Sequence, residues 1–215
     1  TVKAAFFQVR TSEQLFDHTM LAVGVRNNRP SQSDDSTVWN VSGKHHFNHN
    51  WYVQTNIGTS FRLPTAENLF LNEIYDANND GIPDGGYFAV GNPELEAEQS
   101  ENLNISLGAN FQHSQWELTF FKREISNYIL SSAPITIGGV VGDTFENSDD
   151  EVNVQGGELQ AQWQITHSLS SRFAYTYTRA QLNNSGDQLR DIPEQTAQLG
   201  LNYQQPASPW GLNFS

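Results

Sequence analysis

Asp76-Ala77-Asn78-Asn79-Asp80-Gly81-Ile82-Pro83-Asp84 spaces oxygen donors in the manner of a calcium loop. It reads D-x-N-x-D-G-x-x-D, with side-chain oxygens at positions 1, 3, 5 and 9, a backbone carbonyl at 7 and glycine at 6 for the sharp turn. A hard divalent cation takes ligands of this kind, so the spacing predicts Ca2+ bound by Asp76, Asn78, Asp80, Asp84 and the Ile82 carbonyl. Position 12, which carries a bidentate glutamate in a helix-loop-helix hand, is Tyr87 here, leaving Glu73 or Glu94 to complete the shell. Without metal the same composition forms a polar loop of Asx turns. In either case these residues must sit in a loop outside the regular elements.

Other chemistries find little support. His45-His46-x-x-His49 straddles a tight turn, and His45 and His46 point to opposite faces of a strand. There is no cysteine, no Gly-x-Ser-x-Gly elbow, no P-loop and no dinucleotide fingerprint. The acid pairs Glu96/Glu98 and Asp149/Asp150 read as solvated loop charge rather than a glycosidase pair. The expectation is a protein that is not an enzyme and holds no organic cofactor. A formal charge of −13 disfavours nucleic acid.

The elements around the loop alternate with period two. Leu103, Ile105, Leu107, Ala109 and Phe111 share one face, and small or polar residues the other. The pattern recurs at Trp51, Val53, Ile57 and Phe61, at Trp116, Leu118 and Phe120, at Phe173, Tyr175 and Tyr177, and at Leu199, Leu201 and Tyr203. The opposite face carries Gln54, Asn56, Ser60, Asn102, Asn104, Gln160, Gln162, Gln164, Gln198 and Asn202, which suits a wet lumen and not a dry core. The apolar parity switches between Val152/Val154 and Leu159/Ala161/Trp163/Ile165, which predicts a bulge at Gly156-Gly157. Trp39, Trp51, Tyr52, Trp116, Tyr128, Trp163 and Trp210 fall near strand ends, where interfacial girdles place aromatic rings.

Tight links near 48–50, 113–114, 166–168 and 205–208 take turns with long ones over 27–36, 65–100, 131–150 and 183–193. Segments 27–36, 64–101, 131–151 and 183–194 hold 19 of the 24 acidic residues, so charge collects on one side. Short turns on one side and long loops on the other are the habit of outer-membrane barrels, whose strands need only ~9 to 11 residues to cross. The expected fold is all-β: an antiparallel up-and-down transmembrane β-barrel, partial, with about ten strands. Thr1 to Phe6 reads as the inside of a strand. A secreted calcium-binding adhesin or structural module is the alternative, and it would need a second sheet over the apolar stripes.

Four landmarks identify a family. Phe61-Arg62-Leu63-Pro64 with Thr65-Ala66-Glu67-Asn68-Leu69-Phe70, then Gly91-Asn92-Pro93-Glu94-Leu95, then Phe145-Glu146-Asn147 with Val154-Gln155-Gly156-Gly157-Glu158-Leu159, and Ile192-Pro193-Glu194-Gln195-Thr196 resemble, in family order, the barrels of TonB-dependent outer-membrane receptors; these larger barrels enclose a plug. The resemblance implies a Gram-negative outer-membrane location amid lipid, import of a scarce nutrient such as a ferric siderophore, and energy supplied by the TonB complex. It also implies a plug domain and terminal strands, neither of which these 215 residues resemble, so residues 1–215 are expected to be an interior barrel segment. Haem receptors of the family carry a ligating histidine between the first two boxes, and residues 65–91 contain none, which favours a siderophore-like ligand. Arg62, Tyr75, Tyr87 and Phe88 are the expected ligand contacts, since aromatic stacking with a few polar groups is the common way to hold such molecules.

Overall fold

The computed structural model describes residues 2–31, 35–184, 186, 188–189, 192–205 and 210–214. The turn expected at 205–208 lies outside these beyond Gln205, as do parts of the loops at 27–36 and 183–193. Ten strands form one antiparallel sheet: β1 (Val2–Arg10), β2 (Thr19–Pro30), β3 (Ser36–His46), β4 (Trp51–Arg62), β7 (Glu98–Asn110), β8 (Ser114–Ser126), β11 (Val152–Gln164), β12 (Leu169–Leu182), β13 (Gln195–Gln204) and β14 (Gly211–Phe214). Their spatial order follows the chain, with β1 and β14 as the edges. This is the up-and-down path expected, and the sheet is open.

The register divides the residues as the alternation requires. Trp51 pairs with Ala109, Val53 with Leu107, Leu107 with Leu118 and Leu118 with Leu159, so one face is apolar across four strands. Leu21, Val23, Val25, Ile57, Ile105, Phe120 and Leu199 on that face are all exposed. An apolar surface this extensive is unstable in water and stable against lipid. Among the described residues no second sheet covers it, so the two-sheet packing that a soluble module needs is missing.

The opposite face is polar and hydrogen-bonded across strands. Ser106 and Thr119 share a hydroxyl contact of 2.8 Å, and Arg123 Nε donates to Asn102 Oδ1 at 2.7 Å. Tyr52, expected in a girdle, is here instead: it is 8% exposed, its hydroxyl donates to Glu117 Oε2 at 2.7 Å, and Lys44 Nζ stands 3.9 Å from its ring centroid. One residue of register from Trp51 turns it inward, because strand period is two. At the short-turn end of the apolar face Trp51 meets Phe111 and Trp116 meets Trp163 edge to face, the latter at 4.5 Å between centroids. Tyr177 marks the other end. From Ser171, opposite Trp163, to Tyr177 the strand rises roughly 20 Å, comparable with the apolar band of an outer-membrane barrel.

The bulge at Gly156-Gly157 is not present. Both neighbours of β11 hold one register throughout: Gly156 pairs with Thr178 and Phe121, Gly157 with Tyr177 and Phe120. Val152 and Val154 therefore lie on the inner face with Gln160 and Gln162, and no extra residue restores their parity. Gly156 serves close approach instead, since a Cβ there would stand 2.0 Å from the Tyr177 carbonyl oxygen and 2.7 Å from Phe121 Cζ.

The two long middle loops are also more regular than expected. Within 65–100 lie α1 (Ala66–Phe70), β5 (Asn72–Glu73) and β6 (Ala89–Val90), and within 131–150 lies most of a hairpin of β9 (Ile129–Ile137) and β10 (Val140–Asn147). Its turn is Gly138-Gly139, both at positive φ (58° and 87°), the pairing that a tight two-residue hairpin prefers. A second sheet of order β5-β6-β10-β9 joins the two loops into one cap.

Candidate functional site

The cap is built by side chains from three of the sequence landmarks. Thr65 caps α1, accepting from Asn68 N, while Asn68 Oδ1 accepts from Thr65 N, a reciprocal capping box. Asn92 then crosses to the hairpin: its Nδ2 donates to the Phe145 carbonyl at 3.0 Å, and its Oδ1 accepts from Glu94 N. Asn147 answers from the other side, accepting from Glu96 N at 2.8 Å and donating to the carbonyls of Glu96 and Asn127. Asn127, at φ 54°, donates to Glu96 Oε2. The landmark asparagines thus stitch the two loops together.

The root of the cap is fastened by Glu98. Its side chain is 8% exposed, and the carboxylate receives Arg62 Nε at 2.6 Å and a second bond from Arg62 Nη2, and also accepts from the buried Ile129 N at 3.0 Å. One side chain thereby ties the ends of β4 and β7 to the start of β9. Arg62, expected to touch a ligand, has two of its nitrogens committed to this fork; its side chain remains 57% exposed.

The aromatic candidates separate by burial. Tyr75 and Tyr87 are exposed, at 67% and 58%. Tyr87 donates its hydroxyl to Asp143 Oδ2 at 2.8 Å, linking the first loop to β10, and that hydrogen bond raises its phenol above the usual tyrosine range. The contact is therefore intact at neutral pH and is lost only as pH rises through the raised value. Phe88 has no exposed surface and packs against Gly142, and its carbonyl accepts from Asp143 N. Burying a ring of this size contributes about 2–3 kcal/mol, so Phe88 is the core of the cap and reaches no ligand while the cap is folded.

In the calcium-type loop every acidic side chain accepts from backbone. Asp76 receives the N–H groups of Asp80 and Gly81, Asp80 that of Ile82, and Asp84 that of Ala77 at 2.8 Å. Asn78 Oδ1 receives Asp80 N, and Asn79 and Gly81 take positive φ. Among the described residues no group of three or more His, Cys, Asp or Glu side chains converges as a metal site. The donor set is all oxygen, and each carboxylate oxygen keeps a second lone pair beyond the N–H it accepts. Segments 65–97 and 127–151 hold twelve acidic residues and no lysine or arginine, so the cap is uniformly anionic.

Residues 5–215 match the family model "TonB dependent receptor-like, beta-barrel". The chain belongs to this family. The TonB-dependent receptor barrel accounts for the apolar outer face, the polar inner face and the sorted loops, and places the chain in a Gram-negative outer membrane. Among its relatives are the vitamin B12 transporter of Photobacterium profundum, 27% identical over 89% of this chain, and the ferric enterobactin receptor of Pseudomonas aeruginosa, 28% identical over 91%. This chain covers 28% and 27% of those proteins, about a quarter of a whole receptor. The siderophore receptor of Acinetobacter baumannii superimposes with a TM-score of 0.72 at 16% identity, over 99% of this chain and 32% of its own. A copper transporter superimposes at 0.69 with 18% identity, over 95% and 32%. At such identities the likeness is one of fold.

Sequence reasoning missed Glu98, Asn92, Asn127 and Asn147 as the residues that shape this site. The first two stand within or just after the Asn-Pro-x-Leu box and Asn147 closes Phe-Glu-Asn, so the landmarks themselves were the available signal.

Proposed function

We propose that this chain forms part of the wall and mouth of an outer-membrane active transporter that captures and imports a scarce nutrient, energised by TonB acting on other parts of the receptor. The observation that carries this reading is the single cap, stitched from two loops, at the loop end of a polar-faced receptor barrel. Tyr75 and Tyr87 present exposed rings there, and with Arg62 they are the contacts we assign to ligand. A siderophore-like ligand is favoured over haem because residues 65–91 hold no histidine. The uniformly anionic cap repels polyanions, so the metal-loaded ligand is neutral or cationic.

Cells with and without the gene for the full-length receptor would be given radiolabelled ferric hydroxamate, ferric tricatecholate, haem and cyanocobalamin. Receptor-dependent, energy-dependent accumulation of the hydroxamate over the tricatecholate is expected. Accumulation of none of them in a receptor-dependent way would overturn the import reading, and preference for the tricatecholate would overturn the charge argument alone.

The Asp76–Asp84 loop is assigned to Ca2+, through Asp76, Asn78, Asp80, Asp84 and the Ile82 carbonyl, with the ion ordering the loop for ligand capture. Calorimetric titration of the full-length receptor with Ca2+ is expected to give a binding heat that Asp80→Asn weakens, together with slower proteolysis between Asn72 and Gly86. A flat titration with an unchanged cleavage pattern would leave the loop to its own hydrogen bonds.

A further inference from the structure

We propose that Lys122, Gln155 and Arg179 bind the phosphate-bearing headgroup of an outer-leaflet glycolipid. The three lie on adjacent strands in one transverse row, Gln155 pairing with Lys122 on one side and with Arg179 on the other. All three are exposed on the apolar, lipid-facing side of the sheet. The row toward the short turns is Phe120, Gly157 and Tyr177, and the next is Leu118, Leu159 and Tyr175. The row toward the long loops is Glu124, Asn153 and Gln181. The cations therefore stand where the apolar band ends on its loop side, at headgroup level in the outer leaflet.

Between β4 and β13 Lys122 and Arg179 are the cations of this outer face among the described residues. Two strand spacings separate them, roughly 10 Å. They flank a shallow groove of about 400 Å3 lined also by Phe120, Gln155, Gly156 and Tyr177. The rings offer an apolar floor for sugar and acyl chain, and the cations and amide offer donors to phosphate. Arg179 makes no ion pair among the described residues, whereas Lys122 is paired with Glu124 at 2.6 Å. Glu124 and Glu101 lie one row nearer the loops on β8 and β7, so like-charge repulsion moves the phosphate toward β12. There the Arg179 guanidinium presents a planar fork that matches phosphate oxygens. Lysine and arginine stems lie along apolar surface while their charges reach the interface, which is the posture this row allows.

The test uses the full-length receptor, extracted in detergent and stripped of lipid, titrated with diphosphoryl lipid A and with the same lipid after phosphatase treatment, bound lipid being counted by native mass spectrometry. The phosphorylated lipid is expected to bind roughly tenfold or more tightly, a preference that Lys122→Gln/Arg179→Gln abolishes and that Arg26→Ala, on the inner face, leaves intact. Equal binding of the two lipids by the unaltered receptor would overturn the proposal and needs no variant to fold. Retained preference in a double variant with normal heat-modifiable mobility would overturn it as well, as would full displacement by millimolar inorganic phosphate.

Discussion

Replacing Glu98 with alanine is expected to loosen the cap while leaving the barrel wall assembled. The change strips the Ile129 N–H of its acceptor and the Arg62 guanidinium of both its hydrogen bonds. A buried donor left unmet costs about 1–3 kcal/mol, and breaking a fully buried pair about 3–5 kcal/mol. Arg62 is 57% exposed, so water recovers much of the pair's loss, and the sum falls near 3 kcal/mol. That corresponds to roughly a hundredfold more frequent opening of the cap. Hydrogen exchange on the full-length receptor would read it: amides of 88–97 and 127–147 should exchange faster, with β11 and β12 unchanged. Glu98→Gln retains an acceptor for Ile129 N and should fall between. Unaltered exchange in the alanine variant would show that the asparagine stitches hold the cap without its root. If the cap is the ligand-gripping part, ligand affinity falls in the same order as exchange rises.

Gly156→Ala is expected to cost about 2–3 kcal/mol, at the upper end for an added methyl, because its nearest obstacle is backbone. The new Cβ would stand 2.0 Å from the Tyr177 carbonyl oxygen, on the strand to which β11 is bonded along its length. Gly157→Ala makes a sharp contrast, with its nearest neighbour, Phe120 Cδ1, at 3.6 Å and within ordinary contact. Strand propensity alone favours alanine over glycine at both sites, and a glycine bulge would tax a site at positive φ. Neither glycine has positive φ. The temperature at which the folded band loses its heat-modifiable mobility should therefore drop for the first variant and hold or rise for the second. Equal responses would remove close approach as the reason for Gly156.

Much of the wall was legible because its signal is local. A strand turns successive side chains to opposite faces, so Leu103 to Phe111 and Asn102 to Asn104 could be assigned to lipid and lumen without knowing any partner strand. Lys122 and Arg179 were readable as single charges within strands, but their meeting on either side of Gln155 required the register. Local parity also misled. At Gly156-Gly157 a switch of apolar residues suggested an inserted residue, yet a barrel interior tolerates Val152 and Val154 where they meet inner-face neighbours, and Val152 is fully buried there. Tyr52 misled for a related reason, since an aromatic near a strand end satisfies a girdle only if its parity faces lipid.

The loops were legible in length and charge but not in shape. Phe88 and Tyr87 are neighbours of similar type, and only the packing of β6 against β10 sends one into the core and leaves the other exposed. Asn92 and Asn147 are far apart in sequence, and their joint role depends on which carbonyls the folded loops bring within reach. The two-faced strands, the sidedness of the loops and the family could all be read before any fold was known, because each follows from backbone period, strand length or contiguous motifs. That two loops make one cap, that Glu98 roots it and that Phe88 fills it emerged with the folded chain, because long-range hydrogen bonds and burial depend on partners that no local spacing specifies.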